Sequence, residues 1–274
     1  MRYRLGLVGY PLEHSRSPEL HHGFLRACGL DGEYRLYPVP PDDEDGLRRL
    51  LNSLRGGEIH GLNVTIPHKE RAAKLADRLT PAAKAIGAVN TLWPENGVLW
   101  GDNTDAPGFW EDLSEKWPAA VRGGLALVLG AGGAARAVVY ALAAHGWRVW
   151  VAARRREQAE GLCARRGCAV VEWGERAAAA ASANLVVNAT PVGMHPKVEE
   201  SPLPAETRWN AATAVYDLVY NPPVTALVAA AREAGAPAFT GFGMLVRQAR
   251  LAFTRWTGCK TLEAALPAEI SGSE

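Results

Sequence analysis

The chain has little cysteine, little lysine, no apolar run of membrane length and no excess of one charge, and each shortage removes a class of protein. Its four cysteines, Cys28, Cys163, Cys168 and Cys259, make neither a C-x-x-C pair nor a dense framework. A disulfide scaffold is therefore not expected, and the thiols are expected to be reduced in a cytoplasmic protein. Lysine plus arginine total 30 against 29 aspartate plus glutamate, so no broad field draws the chain to nucleic acid or an anionic membrane, and a small molecule is the expected partner. Only 6 of the basic residues are lysine, a bias that genome composition explains as well as heat adaptation does, so no growth temperature follows. The opening stretch to Gly9 carries a brief apolar run, too short for a signal segment or a membrane span, and reads as a first strand. Seven histidines, including adjacent His21 and His22, show no metal-ligand spacing, and no metal is expected. Repeats and low-complexity tails are absent from the sequence as well.

What is present is alternation. At 274 residues the chain has room for two domains with separate cores. β-prone segments at Leu5–Gly9, Glu33–Val39 and Ile59–Thr65 are interleaved with helical patterns at Pro18–Cys28, Asp43–Ser53 and His68–Leu79, which predicts a parallel, helix-covered sheet. Asn90–Trp93 and Val98–Trp100 flank an Asn96-Gly97 step that favours a tight hairpin closing the first domain. A second series follows: strands at Leu125–Leu129, Trp147–Ala152, Ala169–Val171, Leu185–Asn188 and Ala214–Asp217, with helices at Ala134–His145 and Glu157–Arg166. This predicts a Rossmann-like α/β domain. The alanine run Ala177–Ala181 reads as a short helix. Met244–Trp256 has helical spacing and is expected to return to the first domain. The expected division is 1–103, completed by 241–274, for an α/β substrate domain, and 104–240 for the nucleotide domain.

Gly130-Ala131-Gly132-Gly133-Ala134-Ala135 fits G-x-G-x-x-[GA] directly after an apolar strand and at the start of a helix. Gly130 allows the tight turn, Gly132 leaves room for a pyrophosphate, Ala135 lets helix and sheet approach, and the helix N-terminus faces the anion. An NAD-selecting fold usually carries an acid after the second strand; here the chain reads Ala153-Arg154-Arg155-Arg156. Guanidinium groups suit a 2′-phosphate and point to NADP, with Arg154 the first candidate and Arg155 the second. A solvated charge cluster at a helix start is the plainer alternative.

Upstream of that turn lie two polar stretches, Asn63-Val-Thr-Ile-Pro-His-Lys69 and Gly101-Asp-Asn-Thr-Asp105. A hydride-transfer enzyme needs a proton carrier for the substrate oxygen, and Lys69 and Asp105 are the candidates. Together with His14-Ser15-Arg16-Ser17-Pro18, Asn188-Ala-Thr-Pro-Val-Gly-Met194, Tyr220-Asn-Pro-Pro-Val-Thr225 and Gly241-Phe-Gly-Met-Leu-Val-Arg-Gln248, these stretches make the chain resemble the shikimate dehydrogenase family from Gly9 to Gln248. One local departure is Ala153-Arg154-Arg155, where many NADP-using members read Asn-Arg-Thr.

The resemblance implies reversible reduction of 3-dehydroshikimate to shikimate with NADPH, a step of aromatic amino-acid and chorismate biosynthesis, in a cleft between the two domains. Ser15, Ser17, Asn63, Thr65, Lys69, Asn90, Asp105, Tyr220 and Gln248 would bind a polyhydroxylated ring acid, the two serines holding its carboxylate. Ser17 before Pro18 also suits a helix N-cap, and the two roles can coexist. Lys69 would pass the proton with Asp105 orienting it; titrations of such a pair are coupled, so the split of roles stays open. Asp105 equally fits the N-terminus of a helix over Ala106–Lys116. Asn188, Ala189, Thr190, Gly241 and Met244 would line the nicotinamide side, although a methionine at helical spacing serves as well in a core. Monomer and homodimer are both open. The rivals are a quinate/shikimate dehydrogenase of broader range, a non-catalytic NADP and ring-acid sensor, and a folate- or tRNA-linked dehydrogenase of similar build.

Overall fold

The structure, a computed structural model, describes residues 1–260; the part of the expected first domain beyond 260 lies outside the described residues. The chain divides into two compact units, one comprising Met1–Thr104 with residues 248–260, the other Asp105–Arg247.

In the first unit the order is β1 (Tyr3–Gly9), α1 (Ser17–Ala27), β2 (Gly32–Pro38), α2 (Glu44–Arg55), β3 (Gly61–Val64), α3 (Lys69–Leu75), β4 (Arg78–Leu79), α4 (Pro81–Ile86), β5 (Thr91–Glu95) and β6 (Val98–Asp102). The six strands form one sheet in the order β2-β1-β3-β5-β6-β4. Its β2, β1 and β3 are parallel, as expected, but β5 runs antiparallel to both β3 and β6, so the sheet is mixed. The β5–β6 reversal comes from the hairpin, where Asn96 and Gly97 both take positive φ, 53° and 75°, the geometry of a primed two-residue turn. The predicted helix over His68–Leu79 is also corrected, because it stops at Leu75. Ala76 is extended, the Asp77 N–H donates to the Leu99 carbonyl at 2.9 Å, and the Asp77 carboxylate accepts from the Leu99 N–H at 2.8 Å. Sheet pairing thus captures Arg78–Leu79 as an edge strand.

The second unit contains α5 (Asp105–Lys116), β7 (Leu125–Leu129), α6 (Gly133–Ala144), β8 (Arg148–Ala152), α7 (Arg156–Arg166), β9 (Ala169–Val171), α8 (Arg176–Ser182), β10 (Leu185–Asn188), β11 (Ala214–Asp217), α9 (Ala226–Glu233), β12 (Ala238–Thr240) and the first part of α10 (Phe242–Thr257). All six strands are parallel, in the order β12-β11-β10-β7-β8-β9. Taken from the β9 edge, this is the doubly wound order with its reversal between β7 and β10. β7, β10 and β11 are buried at every residue, which is why they read as continuous rather than alternating runs, β10 and β11 closing on the buried polar residues Asn188 and Asp217.

The expectation of reduced thiols is overturned. Cys28 is disulfide-bonded to Cys259, with Cα atoms 6.5 Å apart, and Cys163 to Cys168, at 4.6 Å. Neither pair has a recognisable spacing, since one spans 231 positions and is made only by the return of α10 to the first unit.

Candidate active site

Two of the other predicted substrate residues in the first unit, Asn63 and Gln248, converge on Asn90, which is 2% exposed. Its amide oxygen accepts from the Thr104 N–H at 2.8 Å and the Thr91 hydroxyl at 3.0 Å; its amide nitrogen donates to Thr104 Oγ1 at 2.9 Å and Gln248 Oε1 at 3.2 Å. Asn63, on β3, donates to the Asn90 carbonyl at 3.1 Å and accepts from the Tyr34 hydroxyl at 2.9 Å. Three residues distant in sequence are therefore locked in one hydrogen-bonded cluster, with Tyr34, Thr91 and Thr104 as supports that the sequence reading passed over. Buried polar groups of this kind hold a geometry because breaking any link leaves an unpaired group.

Lys69 is the first residue of α3 and half-buried. Its carbonyl accepts from the N–H of Val89, the neighbour of Asn90, at 2.9 Å. The preceding His68 is fully buried, and its Nε2–H donates to the Val39 carbonyl at 2.7 Å, which anchors the helix start on the other side. The Tyr10-Pro11 and Ile66-Pro67 peptide bonds are cis. Thr65 is half-buried, and its N–H donates to the Val8 carbonyl at 2.9 Å. Asp105 directly follows Thr104, opens α5 and is 4% exposed.

Ser17 does not cap α1. It is the first helical residue, and its N–H donates to Ser15 Oγ at 3.3 Å, while Arg16 is taken up by Glu19. The N-cap position falls to Arg16, which makes no side-chain cap hydrogen bond, because the Ser17–Pro18 step is already helical, so the cap reading of Ser17 is withdrawn.

In the second unit Gly130 has φ +107° and its N–H donates to the Ala152 carbonyl at 2.8 Å. A side chain there would press on the Ala189 carbonyl and Thr190, 3.1–3.2 Å from the position of its Cβ, so the turn needs glycine. A Cβ on Gly132 would meet no atom within 4 Å, and Gly132 as N-cap of α6 offers no side-chain hydrogen bond. The first N–H groups of α6 thus lie beside open space with no capping side chain, an arrangement that fits a dinucleotide pyrophosphate. Ala135 is fully buried, as close helix–sheet packing requires.

The three arginines after β8 are unequal. Arg156 is taken by Glu160 and Glu172. Arg154 and Arg155 are exposed and make no ion pair or side-chain hydrogen bond among the described residues, so their guanidinium groups remain available to an anion. Asn188, by contrast, is spent within the protein. Its oxygen accepts from the Thr190 N–H and hydroxyl at 3.0 and 2.7 Å, and its nitrogen donates to Asp217 at 2.8 Å and the Val192 carbonyl at 3.2 Å. Gly241 packs on the Leu218 backbone, Met244 is 7% exposed, and Tyr220 is half-buried. Sequence reasoning missed Asp217, fully buried at the end of β11; desolvation raises its pKa to about 6 against the lowering effect of bonds from Thr225, Val219 and Asn188. The strand-end position was its only signal.

A parallel sheet of doubly wound order with this glycine turn belongs to the nucleotide-binding dehydrogenase class of folds. The comparisons narrow the class. The family model described as shikimate dehydrogenase substrate binding domain matches residues 7–92. A shikimate dehydrogenase (NADP(+)) of Methylobacterium radiotolerans is 48% identical, covering 93% of this chain and 91% of its own; one of Salinibacter ruber is 42% identical, covering 95% and 94%. Among solved structures, shikimate 5-dehydrogenase of Thermus thermophilus in complex with NADP(H) and shikimate is similar with a TM-score of 0.84, at 40% identity and 94% of each chain. The chain belongs to the shikimate dehydrogenase family.

Proposed function

We propose that the chain catalyses the reversible NADPH-dependent reduction of 3-dehydroshikimate to shikimate, as a cytoplasmic monomer or homodimer acting on a small molecule. The observation that carries this reading is that likeness to an enzyme solved with NADP(H) and shikimate runs through both units. Within the chain, polar residues hold an ordered cluster around Asn90 and an open glycine turn stands ready for a dinucleotide.

NADPH, when bound along Gly130–Ala135, supplies the hydride. The Lys69 ammonium donates a proton to the oxygen of the C3 carbonyl as it gains negative charge, and in the reverse direction neutral Lys69 takes it back, with Asp105 orienting the amine. Ser15 and Ser17 donate hydroxyl hydrogen bonds to the substrate carboxylate. Asn63, Thr65, Asn90, Tyr220 and Gln248 orient the ring, the Asn90 network fixing the Gln248 amide with its oxygen toward Asn90. Arg154, with Arg155 beside it, pairs with the 2′-phosphate, while Ala189, Thr190, Gly241 and Met244 border the nicotinamide and Asn188 shapes that loop from within.

An assay at 340 nm offering shikimate and quinate with NADP and NAD in all four combinations tests the reading. Shikimate with NADP is expected to give the highest kcat/KM. Preference for quinate would shift the assignment to the broader dehydrogenase, and no turnover with any pair would support a sensor. Arg154→Ala is expected to weaken NADP by about 1–3 kcal/mol, the scale of a charge-assisted hydrogen bond, and to leave NAD nearly unchanged. Equal losses for the two cofactors would remove Arg154 from the 2′-phosphate.

A further inference from the structure

Asp217 lies where three chain segments meet at the C-terminal edge of the parallel sheet. One carboxylate oxygen accepts from Asn188 Nδ2 at 2.8 Å, at the end of β10, and from the Val219 N–H at 3.0 Å; the other accepts from the Thr225 hydroxyl at 2.7 Å, the N-cap of α9. Beyond Asn188 the chain of bonds continues. Asn188 holds the N–H and hydroxyl of Thr190, and Thr190 Oγ1 accepts from the Val192 N–H at 3.2 Å. The Ala189–Thr190 segment in turn forms the wall against which Gly130 turns.

We infer that Asp217 is a positioning residue for the cofactor: through Asn188 it sets the Ala189–Thr190 loop against the glycine turn, and so controls NADP affinity without touching the cofactor. The inference rests on the cofactor site proposed above. Its physical basis is the donor count. Three donors converge on one side chain, and only an ionised carboxylate, an acceptor at both oxygens, receives them all without presenting a hydrogen of its own. The groups facing it from β10, from the turn after β11 and from the start of α9 are the Asn188 amide, the Val219 N–H and the Thr225 hydroxyl, all neutral. Burial without a cationic partner raises its pKa to about 6, so the carboxylate is ionised at neutral pH and gains a proton in mild acid, where one oxygen becomes a donor and the set of bonds must rearrange.

Asp217→Asn imitates that protonated form in nearly the same volume. Calorimetric titration of NADP into wild type and variant at pH 7.5 is expected to show a Kd raised about tenfold in the variant, the effect of losing a hydrogen bond to a charged group. Turnover at saturating NADP and the KM for shikimate are expected to stay close to wild type. Repeating the titration from pH 8 to pH 5 gives a second readout that a merely structural role would not move. The ratio of variant to wild-type Kd is expected to fall toward one below about pH 6, because wild type then takes up the proton the variant imitates; using the ratio cancels the ionisation of the cofactor's own 2′-phosphate. A ratio near one at pH 7.5, or one independent of pH, overturns the assignment. Should Asp217→Asn fail to fold, Thr225→Ser and Thr225→Val replace it: serine keeps the hydroxyl donor and is expected to keep wild-type affinity, valine removes it and is expected to weaken NADP, and equal affinities contradict the inference. Wild type that binds no NADP sinks the cofactor reading itself, whereas wild type and variant that bind equally sink only the role of Asp217.

Discussion

His21 is wholly buried in the first unit, stacked on Tyr34 with ring centroids 4.2 Å apart and surrounded by Phe24, Phe253 and Trp256. Neither ring nitrogen has a hydrogen-bond partner. Desolvation lowers its pKa to about 3, with the Asn63 side chain opposing and the charge of His22 assisting. An unfolded chain binds the proton from about pH 6.5 downward while the native state refuses it, so His21 favours the native state above that range and this advantage is lost as pH falls toward 3. Between pH 6.5 and 5 the loss amounts to about 2 kcal/mol. His21→Phe is therefore expected to lose about that much less than wild type over the same interval in urea titrations; equal losses would mean that His21 is not the group concerned. Nothing in the His21-His22 dipeptide distinguishes the buried ring from its neighbour, because the aromatic neighbours in α10 come from more than 230 positions away. The roles of Tyr34, Thr91 and Asp217 were hidden for a different reason, since their partners lie 1 to 29 positions away but meet them only through the fold. Residues that would meet the substrate or cofactor lie in dense polar motifs, whereas those that hold them in place are ordinary side chains whose function arises only when strands pair.

At the scale of elements, packing decides what local pattern leaves ambiguous. Gly61 opens β3 directly beneath the indole of Trp256, whose N–H donates to the Leu92 carbonyl at 3.0 Å. A methyl at this position would fall on the ring, so Gly61→Ala is expected to cost about 1–3 kcal/mol of stability as an overpacked site. Unchanged denaturation midpoints would show that the indole yields freely. Five of the six strands of the second sheet were legible nearly residue for residue, since a buried parallel strand is mostly apolar, whereas the short edge strand β12 was not read as one. In the first sheet β1 to β3 and the β5–β6 hairpin were legible, but not the placing of β5 beside β3 nor the strand β4. Its antiparallel β5 and the edge strand β4 depend on the hairpin returning to pair inside the sheet, and a two-residue strand held by Asp77 has no periodicity to read. α4 also escaped notice, although Thr80 caps it, Pro81 opens it and Gly87 closes it in the left-handed region, signals of helix start and stop that were present in the sequence. α10 is steadied in the second unit by Asp112, a 1% exposed carboxylate that accepts from Tyr216 at 2.7 Å and pairs with Arg247 and Lys116. Burial and that carboxylate hold the Tyr216 hydroxyl well above its usual pKa.

For the whole molecule, the first unit is discontinuous in sequence, and the Cys28–Cys259 bond joins its opening segment to the end of α10. A crosslink across 231 positions removes much freedom from the unfolded chain, by an amount that chain-entropy arguments put at about 2–4 kcal/mol in typical cases. Protein purified without reductant is expected to show no reactive thiol in denaturant, and Cys28→Ser to lose stability on that scale; four titratable thiols would contradict the pairing. Intracellular disulfides are uncommon outside hyperthermophiles, so composition alone pointed the other way.

In the proposed reaction Lys69 is assigned the proton that accompanies hydride transfer. Steady-state oxidation of shikimate by NADP with Lys69→Ala tests this most directly. Turnover is expected to fall by about 10²–10⁴, the range of positioned acid–base catalysis, with the KM for shikimate and the Kd for NADP changed far less; turnover within a few-fold of wild type would contradict it.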